Sequence, residues 1–146
     1  MRGIVAVMLA LILTACGAKT IAPKITATKT VNTTVKGVGV LTTRLEIHQT
    51  ASFEVVASAW LTWSGEYEAA ITATVNLYRW DTNSPKALVS SDKDFDMKTG
   101  QDGTLATPTI TESRRLCASV ALAIEGYDAD ANTVSKPEYA STCERS

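Results

Sequence analysis

The middle of the chain alternates apolar and polar residues with a period of two. Between residues 51 and 63 every odd position is apolar and most even positions are polar, and the odd positions from 67 to 77 are again all apolar. Successive side chains of a β-strand point to opposite faces of the sheet, so this pattern predicts two long strands, each with one buried face. Thr and Val, which strands favour, are abundant in both segments.

Residues 64–66 connect these two segments and contain a glycine. A plain two-residue turn would place apolar positions opposite polar ones and would bury glutamates. One extra residue, with the glycine at a positive φ angle, instead pairs Trp63 with Tyr67 and Val55 with Val75. The sequence therefore predicts a long hairpin with a three-residue loop or a bulge at this connection.

The rest of the chain adds shorter strands of the same kind. They are predicted at about residues 42–49, 86–90, 115–125 and 137–143, with an edge strand from about residue 25. Residues 92–103 are interpreted as a loop with a brief strand around Phe95 and Met97, and residues 127–133 as a second loop. Seven or eight antiparallel strands predict an all-β fold, a β-sandwich that is immunoglobulin-like by analogy only, with a β-barrel as the alternative.

The N-terminus has the features of a targeting segment. Arg2 precedes an apolar run over residues 3–13, which is long enough for a signal-peptide core and too short to span a bilayer as a helix. The run ends in Leu-Thr-Ala-Cys at residues 13–16. This motif resembles the lipobox of bacterial lipoproteins, in which a branched aliphatic residue and two small residues precede an invariant cysteine. The resemblance implies cleavage before Cys16 and a diacylglycerol thioether, with palmitate, on its thiol.

These features divide the chain into three parts. Residues 1–15 are the predicted signal peptide, residues 16–30 the lipidated N-terminus and tether, and residues 31–146 the sandwich domain. The location implied is the cell envelope, and Gly17 after the cysteine resembles lipoproteins sent to the outer membrane when the host has two membranes. An ordinary secretory signal cut after Ala18, or an uncleaved anchor, is the alternative.

The cysteine count agrees with a lipidated cysteine. The chain has three cysteines, and an odd number in a secreted protein needs an explanation. If Cys16 carries lipid, Cys117 and Cys143 remain to form a disulfide in an oxidising compartment. By parity Cys117 points away from the core, so the bridge is predicted to join neighbouring strands. Two free buried thiols or a metal pair is the weaker alternative, because the chain has one histidine.

Composition and charge exclude several classes of partner. The chain of 146 residues is 45% hydrophobic and 20% charged, as in a globular domain, and its formal net charge is −1. No basic excess is available for phosphates, so nucleic acid is not expected as a partner. No polybasic stretch is present that would bind an anionic membrane surface.

Few residues are candidates for catalysis or metal binding. His48 is the only histidine and is expected on the polar face of a strand, as a solvated side chain without a catalytic role. Two acidic segments have part of the spacing of a calcium loop, without its glycine and its final glutamate. They supply weak candidate ligands for calcium, or carboxylates for a small hydrolase: Asp92, Asp94 and Asp96 in one, and Asp128, Asp130 and Asn132 in the other. No metal and no cofactor is predicted.

Exposed aromatic residues give the better binding signal. Tyr78 and Trp80 fall on the polar side of the predicted hairpin, far from Trp60 at its other end, and together with Arg79 they are the candidate binding surface. The alternative is that neighbouring strands or the N-terminal segment cover these rings. The outward residues Ala121 and Ala123 suggest that part of their face is covered. We therefore expect a non-enzymatic binding or scaffolding module that binds another envelope protein or a surface ligand. The alternatives are a receptor-blocking inhibitor, a calcium-dependent domain and a small hydrolase.

Overall fold

The computed structural model describes residues 23–80 and 87–145. These residues form nine β-strands. Their bounds are β1 Lys24–Val35, β2 Gly39–Gln49, β3 Glu54–Gly65, β4 Ala69–Arg79, β5 Ala87–Met97, β6 Asp102–Ala106, β7 Ile110–Thr111, β8 Leu116–Tyr127 and β9 Thr133–Cys143.

The strands form two antiparallel sheets. The five-stranded sheet has the order β1-β2-β3-β6, with β7 also paired to β3, and the four-stranded sheet has the order β5-β4-β8-β9. The prediction of an all-β, antiparallel sandwich is confirmed, and the two sheets do not close into a barrel.

The core lies between the sheets and is built from the apolar faces that the sequence pattern predicted. On β3 and β4 the odd positions are buried, and on β8 the even positions are buried. Removing this apolar surface from water is the main stabilising contribution to such a fold. The largest fully buried side chains are Trp63, Leu41, Leu45, Ile47, Leu61, Ile71, Leu77, Leu116 and Ile124.

The predicted hairpin between β3 and β4 is wrong, because the two strands lie in different sheets. β3 pairs with β2 through the turn at residues 50–53, whereas β4 pairs with β5 and β8. Residues 66–68 cross between the sheets, and the Trp63 indole N–H donates a hydrogen bond of 2.8 Å to the Tyr67 carbonyl within that crossing. The alternation of apolar and polar residues identifies the buried face of each strand. It does not distinguish two strands that pair within one sheet from two strands that face each other across the core.

Some element bounds also differ from the predictions. β5 is one continuous strand where a short strand and a loop at residues 92–103 were expected, because it pairs with β4 along its length. β6 and β7 were not predicted. β9 begins at Thr133 and contains Pro137, which an edge strand tolerates. β1 begins at Lys24, inside the segment 16–30.

The disulfide joins Cys117 of β8 to Cys143 of β9. The two residues are directly paired in the register of these strands, so the bridge links neighbouring strands as predicted. Cys117 is buried at an outward-facing position between the core residues Leu116 and Ala118.

The two ends of the sandwich carry different segments. The N-terminal end holds the start of β1 at Lys24, the turn at residues 50–53, the end of β4, the segment 107–115 and the end of β9. The distal end is opposite and holds the turns at residues 36–38, 66–68, 98–101 and 128–132.

Candidate binding surfaces

Tyr78 of the predicted binding surface lies on the outer face of the four-stranded sheet. Its hydroxyl is directed toward Tyr139, which is on β9 with β8 between them. Burial raises the pKa of Tyr78, and the neighbouring Tyr139 raises it further. Ser119, on β8 between the registers of the two tyrosines, is buried.

Arg79 and Trp80 have other neighbours. An Arg79 guanidinium nitrogen lies 3.1 Å from a carboxylate oxygen of Glu112, in the segment before β8. The Arg114 backbone N–H holds the pKa of Glu112 below its ordinary value, and Arg79 adds to that effect while burial opposes it. Trp80 is 54% exposed, and the Arg115 guanidinium carbon lies 4.2 Å from the centre of its ring. The three side chains thus have different neighbours: Tyr139 for Tyr78, Glu112 for Arg79 and Arg115 for Trp80.

Trp60 is remote from Tyr78, Arg79 and Trp80 because it lies in the other sheet, whereas the prediction placed it at the other end of the same hairpin. It lies on the outer face of the five-stranded sheet, 43% exposed, with the Arg44 guanidinium carbon 5.2 Å from its ring centre.

His48 lies on the same face and is not a freely solvated side chain. Its Nε2 is 3.4 Å from a carboxylate oxygen of Glu46, which is itself buried. The hydroxyl of Ser58, paired opposite Glu46, has no hydrogen-bond partner among the described residues.

A shallow groove of about 330 Å³ crosses the outer face of the four-stranded sheet. Ala121 and Ala123 are exposed, so the expectation that this part of the face is covered is wrong for the described residues. Ala121 pairs with Tyr139, whose side chain is 60% exposed, and Ala123 lines the groove beside Pro137. We call the surface formed by Ala121, Ala123, Pro137 and Tyr139 the Ala-Tyr face.

A larger concavity of about 530 Å³ lies at the N-terminal end. The Glu144 carboxylate on its lining accepts a hydrogen bond of 2.9 Å from the Leu116 N–H, and the Glu144 carbonyl accepts one from the Arg115 side chain. The lining residues are Thr26, Gln49, Phe53, Ser113, Arg114, Arg115, Glu144 and Arg145.

The sequence analysis missed this concavity. Its arginines come from residues 114, 115 and 145, so no single stretch of the chain is polybasic. Phe53 was expected to be buried, but β3 begins one residue later and the Phe53 side chain is 45% exposed. The adjacent arginines Arg114 and Arg115 are the only local signal in the sequence.

The acidic candidates are not gathered into a metal site. Asp92, Asp94 and Asp96 alternate along β5 instead of forming a loop, and the Thr72 hydroxyl donates to Asp94 over 3.0 Å. In the β8–β9 turn, an Asp128 carboxylate oxygen accepts the N–H groups of Asp130 and Asn132, each over 2.9 Å. Within the described ranges, no three His, Cys, Asp or Glu side chains could together hold a metal ion.

Cys16, the predicted lipidation site, lies outside the described residues. Among those that are described, no helix has both the length and the apolar character needed to cross a membrane.

Comparisons of the chain with protein-family models, curated proteins and solved structures found no match.

Proposed function

We propose that this chain is a lipid-anchored protein of the bacterial cell envelope whose sandwich is a non-enzymatic binding or scaffolding module. It binds a partner on the envelope through the Ala-Tyr face. The observation that carries the binding role is the exposure of Ala121 and Ala123 in the middle of a sheet face, directly beside the exposed ring of Tyr139.

The anchor is supported by the lipobox-like residues 13–16 and by the pairing of the other cysteines. Cys117 and Cys143 are bonded to each other, which leaves Cys16 as the odd cysteine of the chain. A thiol after a signal-peptide core is the group that bacterial lipidation modifies. The anchor holds the module at a membrane surface, where its partner is also concentrated.

The geometry of the Ala-Tyr face suits contact with a partner. Small side chains allow a partner to approach the strands closely, and an exposed tyrosine offers a rigid ring with a polar hydroxyl. The face lies on β8 and β9, which pair over eleven residues and are joined by the disulfide. A surface held in this way loses little conformational entropy on binding.

Photo-crosslinking in living cells tests the binding role. A photo-reactive residue in place of Tyr139 should capture one discrete partner, and Ala121→Arg should abolish capture by filling the face with a charged side chain. Matched control positions come from Thr62, exposed on the outer face of the five-stranded sheet. A photo-reactive residue at Thr62 should capture nothing comparable, and Thr62→Arg should leave capture from Tyr139 unchanged. Equal capture from both faces, or none from Tyr139, would contradict the proposal.

The intact mass of the protein extracted from bacterial membranes tests the anchor. We expect the mass of residues 16–146 plus a lipid moiety, with a gain of two hydrogens on reduction of the disulfide. A protein that is soluble and carries no lipid would refute the anchored location and leave Cys16 as a free or intermolecular thiol.

A further inference from the structure

Half of the exposed large apolar side chains in the described ranges lie at the N-terminal end. Of the eight large hydrophobic residues exposed in the described ranges, four lie there, at or next to strand ends. The other four are Trp60 and three tyrosines on the faces or at the distal end. The four at the N-terminal end are Ile25, Phe53, Trp80 and Leu88.

Charge is distributed unevenly between the same two ends. Among the described residues, the N-terminal end has five basic and three acidic residues. The turns of the distal end, together with the strand residues next to them, have two basic and five acidic residues. The N-terminal set is Lys24, Arg79, Arg114, Arg115 and Arg145 against Glu54, Glu112 and Glu144. The distal set is Lys36 and Lys98 against Glu66, Glu68, Asp102, Asp128 and Asp130. A chain with a net charge of −1 thus has one basic end.

Two of these side chains, Phe53 and Trp80, lie beside arginines. Phe53 has a φ angle of 60°, a region that bulky L-residues rarely occupy, and its ring is nonetheless 45% exposed. Trp80 keeps its exposed ring against the Arg115 guanidinium. Exposed aromatic rings beside arginines present both apolar and cationic groups to another surface.

The start of β1 determines which end is near the anchor. Lys24 begins β1 at the N-terminal end, and seven residues separate it from Cys16. The eight Cα–Cα steps from Cys16 to Lys24 span at most about 29 Å when fully extended. The 12 residues of β1 extend over about 40 Å. The connection is therefore shorter than the domain, which keeps the N-terminal end closest to any lipid on Cys16.

We infer that the N-terminal end docks on the anionic surface of the membrane that holds the lipid anchor. The arginines contact lipid phosphates, and the side chains of Ile25, Phe53, Trp80 and Leu88 enter the headgroup region, where tryptophan in particular is favoured. A basic surface adds electrostatic attraction to anionic lipids to the binding that the lipid on Cys16 provides. The inference rests on the proposed lipid anchor and adds an orientation to it, with the distal end directed away from the membrane.

Fluorescence quenching by labelled lipid tests this orientation. The full mature protein, purified from membranes with its lipid, is inserted into phosphatidylglycerol vesicles that contain a phospholipid brominated near the headgroup end of its chains. Trp60→Phe leaves Trp80 as the exposed tryptophan, and Trp80→Phe leaves Trp60, while Trp63 is fully buried in both. We expect quenching in the variant that retains Trp80 and none in the variant that retains Trp60. Equal quenching of both, or none of Trp80, would overturn the inference while the anchor remains intact.

A matched pair of charge variants tests the electrostatic part. Arg114 and Arg145 are exposed, and so are Lys36 and Lys98 at the distal end. Each basic residue near an anionic membrane contributes about fivefold to the binding equilibrium, so Arg114→Gln with Arg145→Gln should lower the ratio of docked to undocked protein about 25-fold. Lys36→Gln with Lys98→Gln removes the same charge and should leave Trp80 quenching unchanged. An equal effect of both pairs would refute docking through this end.

Two further outcomes separate docking from the rest of the proposal. If the protein carries no lipid, the proposed anchor is refuted, but docking can still be tested on the unlipidated chain. Quenching of Trp80 by phosphatidylglycerol vesicles that contain the brominated lipid would then support docking, and the absence of quenching would overturn it. If a crosslinker placed at Phe53 joins two copies of the chain on vesicles, a second copy covers this end and the membrane does not.

Discussion

Cys117 on β8 lies directly opposite Cys143 on β9, with their Cα atoms 4.0 Å apart and their sulfurs bonded. The bridge closes a loop whose ends are 26 residues apart, which on the chain-entropy model corresponds to about 3.5 kcal/mol of stabilisation. We expect the double variant Cys117→Ala, Cys143→Ala to lose about that much free energy of unfolding. Urea denaturation monitored by tryptophan fluorescence measures the difference.

The reducing agent provides the control for this prediction. Dithiothreitol should lower the urea midpoint of the natural chain and leave the midpoint of the double variant unchanged. Equal midpoints for the oxidised chain and the double variant would show that the bridge does not stabilise the fold.

Trp63 fits beneath two glycines at the distal end. A Cβ atom at Gly65 would lie 2.6 Å from Cζ2 of Trp63, and one at Gly39 would lie 2.7 Å from the same atom. We therefore expect Gly65→Ala to destabilise the fold by about 1–3 kcal/mol through overpacking. Denaturant unfolding of the variant checks this value.

A double-mutant cycle identifies the cause of that loss. In the background of Trp63→Phe, whose smaller ring relieves the contact, Gly65→Ala should cost less than it does alone, because residues in contact are energetically coupled. Equal costs in both backgrounds would mean that the strain arises elsewhere, for example at the Val38 carbonyl, also 2.6 Å from that Cβ.

The periodic pattern predicted the buried faces well and the pairing of strands only in part. The inward positions of β3, β4 and β8 follow from the alternation alone, because burial of apolar side chains determines which face is inside. The sheet in which each strand lies depends on contacts between distant segments, such as the pairing of β4 with β8. β5 was divided because its outward aspartates resemble a loop, although its inward positions include Phe95 and Met97.

The candidate surfaces were predictable to a lesser extent. The alternation placed Trp80 on the polar side of the chain, and Trp80 is 54% exposed in the described structure, although cover by neighbouring strands or the N-terminal segment was the alternative. The basic end was not, because Lys24, Arg79, Arg114 and Arg145 meet only when the ends of four strands come together. A positive φ angle at Phe53 has no signature in the sequence.

The alternation of Asp92, Asp94 and Asp96 along β5 leads to a prediction for calcium. Residues two apart on a strand are separated by about 6.6–6.8 Å, whereas calcium requires six to eight oxygens at about 2.3–2.6 Å. We expect calcium to leave the melting temperature of the protein unchanged, because a ligand raises it only by binding the folded state. Magnesium at the same ionic strength is the control. A concentration-dependent increase specific to calcium would revive the calcium-dependent alternative.

Replacing the strained aromatic residue should cost little stability. Phe53→Asn relieves the positive φ angle, which asparagine tolerates, and loses the part of the ring that is buried. We expect the two effects to offset each other, leaving the free energy of unfolding within about 1 kcal/mol of the natural value. Phe53→Val is the contrasting variant, since a β-branched residue is strained at this φ angle, and it should be clearly less stable than Phe53→Asn. The opposite order in urea denaturation would show that this turn does not hold the backbone at a positive φ angle.

The carboxylate of Glu112 should make stability depend on pH. Hydrogen bonding from the Arg114 N–H, and the nearby Arg79, hold its folded-state pKa below the ordinary value of 4.5. A lowered folded-state pKa means that the charged form stabilises the fold, so this contribution is complete above pH 4.5 and is lost as pH falls through the lowered pKa. Glu112→Gln should therefore be less stable than the natural chain at pH 7, by about 1 kcal/mol. The difference should disappear in acid.

Melting curves of the natural chain and of Glu112→Gln, recorded from pH 7 down to acid, test this prediction. The control is Glu54→Gln, which changes an exposed carboxylate at the same end and should have the same stability as the natural chain at every pH. A difference that persists unchanged in acid would mean that Glu112 stabilises the fold by packing rather than by its charge.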